Sequence, residues 1–323
     1  MHADVSSPEA LPFHAGELAA QARAGVSEFA VAASRGIRTW MPEQHRAFYA
    51  QLPFILVGGL DPSGQPWATV RAGAPGFVAA PAEDTLVLSG GALRDDPLAG
   101  AWRVGAPVGL LGLQPQTRRR NRVNGVIRAL DGDAMTLAVS QSFGNCPRYI
   151  QSRAPSFVAR AAGAPQRRAR ELDEVDRALL ARADTFFIAS ANVSEEAGGA
   201  RGVDVSHRGG EPGFARVDDA RTLTTPDFSG NNFFNTIGNL LHEPRAGLLF
   251  IDFDSGDLLY ISARAALIWD GPELAAFSGA RRLVRFHIDE VRRSAARMPF
   301  TWSAAIFAPQ FAREAGPEAQ AGA

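Results

Sequence analysis

The strongest constraint on this chain is an internal echo, in which short strings recur in the same order at nearly constant spacing. Ala74-Pro75-Gly76-Phe77-Val78 resembles Glu211-Pro212-Gly213-Phe214-Ala215, at an offset of 212 − 75 = 137. Pro107 through Gly112 resembles Arg245 through Phe250, at an offset of 247 − 109 = 138 between Gly109 and Gly247. Between these anchors, Asp95-Asp96-Pro97-Leu98 and Asn231-Asn232-Phe233-Phe234 each read as a helix start. Two anchors whose offsets are almost equal predict a β-rich unit used twice. Two such units can pack as a pseudo-dimer, which places a ligand cleft between them.

The texture around the echo supplies the elements. Residues up to about Gln51 read as helices, with Leu18, Ala22, Val26 and Phe29 at helical spacing. Phe54–Val57 and Trp67–Arg71 read as strands on either side of the turn Asp61-Pro62-Ser63-Gly64. Further strands are predicted over 85–88, 108–111, 123–127 and 134–139. The Ala/Arg-rich stretch 153–170 carries two prolines and reads as a linker, followed by a helix with Leu172, Val175 and Leu179 on one face. The predicted class is α+β, mostly β. Its expected organisation is a helical extension (1–44), a first unit (45–152), a linker and helix (153–183), a second unit (184–311) and a tail (312–323).

Composition narrows the function. Thirty-three basic residues against 34 acidic ones leave a net charge of −1, which removes the general electrostatic case for nucleic acid or an anionic membrane. Every basic side chain is arginine, so lysine Schiff-base chemistry and a phosphate-loop lysine are excluded. Cys146 is the single cysteine, and six scattered histidines show no metal-ligand spacing, so no metal is expected. No apolar run approaches the ~20 residues of a membrane span. The start has neither a basic nor an apolar signal region, and a cytoplasmic protein is expected.

Residues 202–241 are the most informative stretch. Val203 to Arg208 alternates, so Asp204, Ser206 and Arg208 share one strand face. Gly209-Gly210 and Pro212-Gly213 make a tight turn that permits close approach. Thr225-Pro226-Asp227-Phe228-Ser229-Gly230 then leads to a helix expected to start near Asn231 or Asn232, with asparagine as its cap. A guanidinium, a hydroxyl, several carboxamides and helix-start N–H groups suit a phosphate-bearing ligand. The plainer alternative is a strand, a turn and a capped helix whose Asn235 and Asn239 are solvated.

The run DVSHRGGEPGF…PDFSGNNFFNTIGNLLHEPRAGLLFIDF resembles the FMN-binding split-barrel proteins of the pyridoxamine 5′-phosphate oxidase-like superfamily. TRRRNRVNGVI and QSFGNCPRYIQ in the first half are similar to strings of its large, duplicated members. The resemblance covers about residues 45–305 and implies two split-barrel units with FMN between them. It places the phosphate-and-ribityl strand on Ser206, His207 and Arg208, the turn on Gly213 and Phe214, and the approach to the helix on Asp227. Helix-start amides fall on Asn231, Asn232 and Asn235. The opposing face is expected around Arg122, Asn124, Gly125 and the segment Ser142 to Tyr149, with Trp302 as a candidate to stack on the ring. The implied activity is FMN-dependent oxidation or reduction of a small molecule, with NAD(P)H or a reductase as electron partner and a homodimer as the assembly. A flavin carrier, a haem-handling protein and a deazaflavin enzyme are the alternatives. The family's phosphate-holding lysine is missing here, which argues against vitamin B6 oxidation.

Other residues have plainer readings beside the functional ones. His207 either contacts flavin or packs at a strand end, and no catalytic residue declares itself. Cys146, in a Pro/Gly turn, reads as a small packed residue rather than a redox thiol. The run Arg118 to Arg122 reads as a solvated strand with one inward arginine rather than a nucleic-acid patch.

Overall fold

The computed structural model describes residues 11–161 and 163–311. The predicted tail 312–323 and the first ten residues of the extension lie outside the described residues. Three short helices open the chain: α1 (Ala15–Arg23), α2 (Ser27–Ser34) and α3 (Glu43–Ala50). A seven-stranded antiparallel sheet follows, built from β1 (Phe54–Leu60), β2 (Pro66–Ala72), β3 (Val78–Ala82), β4 (Thr85–Ser89), β5 (Pro107–Gln114), β6 (Arg119–Asp131) and β7 (Ala134–Gly144). Short strands β8 (Pro155–Phe157) and β9 (Arg167–Ala169) and helix α4 (Glu174–Arg182) lead to the second sheet. That sheet holds β10 (Thr185–Asn192), β11 (Gly202–Gly209), β12 (Arg216–Asp219) and β13 (Thr222–Asp227). Helix α5 (Asn235–His242) intervenes before β14 (Arg245–Ile251), β15 (Leu258–Ile268) and β16 (Arg282–Ser294), and β17 (Phe300–Trp302) pairs with β8.

The first sheet runs β2-β1-β5-β6-β7-β4-β3 and the second β11-β10-β14-β15-β16-β13-β12. Counted from each sheet's own first strand, the two orders are the same. Of the two register slips between β6 and β7, the one at Asn124/Gly125 matches the slip between β15 and β16 at Ser262/Ala263, which repeats the offset of Gly109 and Gly247. Gly76 and Gly213 both precede the third strand of their sheet with φ of 96° and 79°. Gly109 and Gly247 both lie in the fifth strand.

Strands β1, β5, β10 and β14 are apolar almost throughout because both of their faces are covered. Each sheet has its own core, and a third core lies between the sheets, where Leu56, Trp67, Val70 and Leu111 meet Phe187, Val205, Leu249 and Tyr260. The sheets cross reciprocally, β5 on β11 and β14 on β2. At each crossing a glycine lets one backbone approach the other. A Cβ on Gly109 would stand 2.3 Å from the Val203 carbonyl oxygen, and one on Gly247 would stand 2.2 Å from that of Pro66.

Three expectations need correction. The inward face of the N-terminal helices is not Leu18, Ala22, Val26 and Phe29, since Leu18 and Phe29 are exposed. The buried positions of α1 are Glu17, Ala20 and Gln21, because this helix covers polar groups of α5. The stretch 153–170 is strapped down: β8 and β9 pair with β17 and β16, and Arg160 donates to the carbonyls of Met298, Ser255 and Phe300. In α4, Leu179 is buried, but Val175 faces solvent and Asp176 takes the inner position.

Overpacking a filled interior typically costs about 1–3 kcal/mol and sometimes more. Gly109→Ala and Gly247→Ala should each lower the unfolding free energy by that order, read as a fall in the urea midpoint. An unchanged midpoint in either would show that the sheets do not meet backbone to backbone there.

Candidate functional site

A polar cleft of about 350 Å³ lies between the sheets, within the range of ~300–1,000 Å³ typical of small-molecule sites. Strand β11 forms its floor through Ser206, His207 and Arg208, β6 contributes Arg120 and Arg122, and the segment from Asp227 to Ile237 forms its far wall. Ala24 and Val26 reach it from the N-terminal helices, and Arg281 and Arg282 from the start of β16.

Asp204 organises the polar groups behind this floor. Its Oδ1 accepts from Arg122 Nη1 at 2.6 Å and Asn124 Nδ2 at 2.8 Å, and its Oδ2 accepts from Asn239 Nδ2 at 2.8 Å. Arg122 also donates to Ser206 Oγ, which accepts from Thr236 Oγ1 at 3.0 Å. One buried carboxylate therefore ties the first sheet, the second sheet and α5 together. Asn239 and Asn235 are not solvated: Asn239 Oδ1 meets His14 Nε2 at 2.9 Å, and Asn235 Nδ2 donates to Glu17.

Among the described residues, five arginines line the cleft against a single lining carboxylate, Asp227. Arg282 donates to Asp227 at 2.8 Å, whereas Arg208 stands 3.5 Å from it. Arg120 has only neutral partners among the described residues: it donates to the Cys146 carbonyl at 2.8 Å and meets His207 Nδ1 at 3.0 Å. Desolvation pushes the Arg120 guanidinium down to about 10. Burial, with Arg120, Arg208 and Arg153 nearby, holds His207 well below the usual imidazole range. Its ring is therefore neutral, with Nδ1 as the acceptor. Arg122 Nε, Arg282 Nε and Asn145 Nδ2 are buried donors with no acceptor among the described residues.

Of the residues singled out from sequence, Arg122, Ser206, His207, Arg208, Asp227, Asn231, Asn232 and Asn235 line this cleft. Asn124 stands behind it, on Asp204. Tyr149 flanks it, stacked on Phe228 with its hydroxyl donating to the Ser229 carbonyl at 3.0 Å. Gly213 and Phe214 turn away, because Phe214 stacks on Phe186 in the second sheet's own core. Trp302 is also elsewhere, edge-on to Phe54 and Phe253, and does not line the cleft.

The helix begins at Asn235, later than Asn231 or Asn232. Asn232 and Phe234 have φ of 62° and 63°, which no α-helix accommodates, and Asn231 instead accepts from the Phe233 N–H within the loop. The run 118–122 points two arginines inward rather than one. Alternation sends Arg120 and Arg122 to the cleft, while Arg119 lies over the Phe48 ring. Arg281 and Arg282 carry no motif in the sequence, and only folding brings them to this place, whereas Asn145 falls within the string QSFGNCPRYIQ.

No family model and no curated protein matches the sequence. Solved structures match with low scores. A "putative pyridoxamine 5′-phosphate oxidase" of Lactobacillus delbrueckii is 18% identical over 38% of this chain and 94% of that one, with a TM-score of 0.31. An FAD-binding protein of Mesorhizobium loti is 13% identical over 40% and 98%, with a TM-score of 0.27. HupZ of Group A Streptococcus is 11% identical over 38% and 92%, with a TM-score of 0.29. At these scores the likenesses decide neither ligand nor activity.

The cap over α5 has a pH signature. Burial, with the Asp204 carboxylate nearby, pushes the Glu17 carboxyl up to about 8. A carboxyl raised on folding favours the native state at low pH, and that contribution is lost as pH climbs from the ordinary carboxyl range to about 8. Asp96 is raised only to about 6, and the lowered His14, His45 and His207 act in the opposite sense, favouring the native state as pH rises. Between pH 7 and 8 the thermal stability of the wild type should therefore decline relative to that of Glu17→Gln. The same fall in both proteins would remove Glu17 from this role.

Proposed function

We propose that the cleft binds flavin mononucleotide between two split-barrel units, and that the protein is an FMN-dependent oxidoreductase acting on a small molecule. The observation that carries this reading is an imbalance. The cleft presents buried N–H donors without acceptors among the described residues, at Arg122, Arg282 and Asn145, together with an Arg120 guanidinium whose partners are neutral and an Arg208 guanidinium that shares the Asp227 carboxylate with Arg282. Leaving donors and charges unpaired in a buried site is costly, and a ligand rich in acceptors and negative charge offsets that cost. The free N–H groups at the start of α5 add to the same end.

When bound, a flavin supplies hydride transfer at its N5 position. The chain supplies placement. Arg208, Arg120 and the α5 N–H groups hold the phosphate. Leu111, Val26, Phe228 and Phe234 give apolar surface for the ring system. Neutral His207, locked by Arg120, donates only through Nε2. Two sheets of one strand order support the reading of a single unit used twice, each contributing one wall.

The purified protein should show an absorption band near ~450 nm, the position of oxidised flavin, whereas a band near ~400 nm alone would signal haem and sink the reading. Losing a hydrogen bond to a charged group costs about 1.5–3 kcal/mol. Arg208→Ala should thus bind FMN roughly 10- to 150-fold more weakly than wild type. Arg119→Ala, outside the cleft, should keep wild-type affinity. Equal affinity in the wild type and Arg208→Ala would remove Arg208 from the site.

A further inference from the structure

We infer that this chain carries one ligand site, and that the topological twin of its cleft has been converted into packing. The inference rests on the cleft being the flavin site. Strand β2 matches β11 at the offset that relates Pro75 to Pro212, and the match continues through the turn: Arg71-Ala72-Gly73-Ala74-Pro75-Gly76-Phe77 stands beside Arg208-Gly209-Gly210-Glu211-Pro212-Gly213-Phe214. Thr69 thus corresponds to Ser206, Trp67 to Asp204 and Arg71 to Arg208. On the facing strand, Arg122 of β6 corresponds to Tyr260 of β15, because Arg122 pairs with Leu111 as Tyr260 pairs with Leu249. The twin site therefore belongs where β2 faces β15, and those strands do pack together.

Each organising group there has been exchanged. Trp67 occupies the place of the Asp204 carboxylate, and Tyr260 that of the Arg122 guanidinium. Both are essentially without solvent exposure. Arg71 keeps its identity but has a different task. It is 2% exposed and donates through Nη1 to the carbonyls of Gly90 and Asp133 at 3.2 and 2.6 Å, while its Nε has no acceptor among the described residues. Gly90 corresponds in register to Asp227, the carboxylate beside Arg208. Where α5 opens the cleft in the second half, Leu98 and Trp102 close the first. A Cβ on Gly59 would meet the Trp102 ring at 2.6 Å, so the indole fills the space down to the backbone.

Two arginines at equivalent positions therefore serve opposite ends. Arg71 completes a dry interior, whereas Arg208 is held among Arg120, Arg122 and Arg282 with too little negative charge around it. Like charges at close quarters destabilise the unliganded protein, so removing Arg208 relieves strain that removing Arg71 creates.

FMN titrated into the full-length protein should saturate at one per chain, in wild type and in Arg71→Ala alike. Saturation at two would overturn the proposal. A second measurement is independent of flavin: Arg71→Ala should lower the thermal midpoint of the ligand-free protein, while Arg208→Ala should leave it unchanged or raise it. If Arg71→Ala does not fold, Arg71→Gln, which keeps a donor for one carbonyl, should fold with a lowered midpoint. An unchanged midpoint in Arg71→Ala would overturn the proposal. Absence of FMN binding with the midpoint contrast intact would sink the cofactor reading and still support a twin site converted into packing.

Discussion

The structure depends on two backbone contacts, Gly109 against β11 and Gly247 against β2. A sheet covered on both faces must bury every residue of its central strands, and two such sheets share a core only if their backbones come close. Glycine permits this at the crossing points, and the apolar strands β1, β5, β10 and β14 supply the surface to be buried. The cleft follows from the same geometry: where the crossing strands diverge, β6 and β11 are left facing one another with polar side chains between them.

Asp204 converts that gap into an ordered site. A lone buried carboxylate is prohibitively costly, but three donors, two from strand β6 and one from helix α5, compensate it. The network holds Arg122 in one orientation and commits Ser206 and Thr236. It does not reach Arg120 or Arg208, and the excess positive charge of the cleft resides there. Helix α1 covers the opposite side of α5, with Glu17 and His14 meeting Asn235 and Asn239, and Gly16 close against Gly238. The N-terminal helices thereby belong to the support of the cleft and reach its rim through Ala24 and Val26.

What the sequence by itself determined is whatever depends on neighbouring residues. Alternation marked the strands, Gly/Pro chemistry marked the turns, and the spacing of Gly76, Gly109, Gly213 and Gly247 foretold two sheets of one strand order. The polar character of β11 and of the loop before α5 was equally legible, because a strand places Asp204, Ser206 and Arg208 on one face wherever it lies. Only the tertiary structure decided which groups share the cleft. Arg120, Arg281 and Arg282 enter it from distant strands, while Phe214 and Trp302, plausible from their neighbours, are drawn into cores by aromatic packing. The start of α5 moved because two left-handed residues precede it. Arg71 and Arg208 sit in nearly the same local string, yet one is sealed and the other open. That difference lies across the sheet interface, in Trp67 against Asp204 and Tyr260 against Arg122, where volume and charge are settled by contacts between residues far apart in the chain.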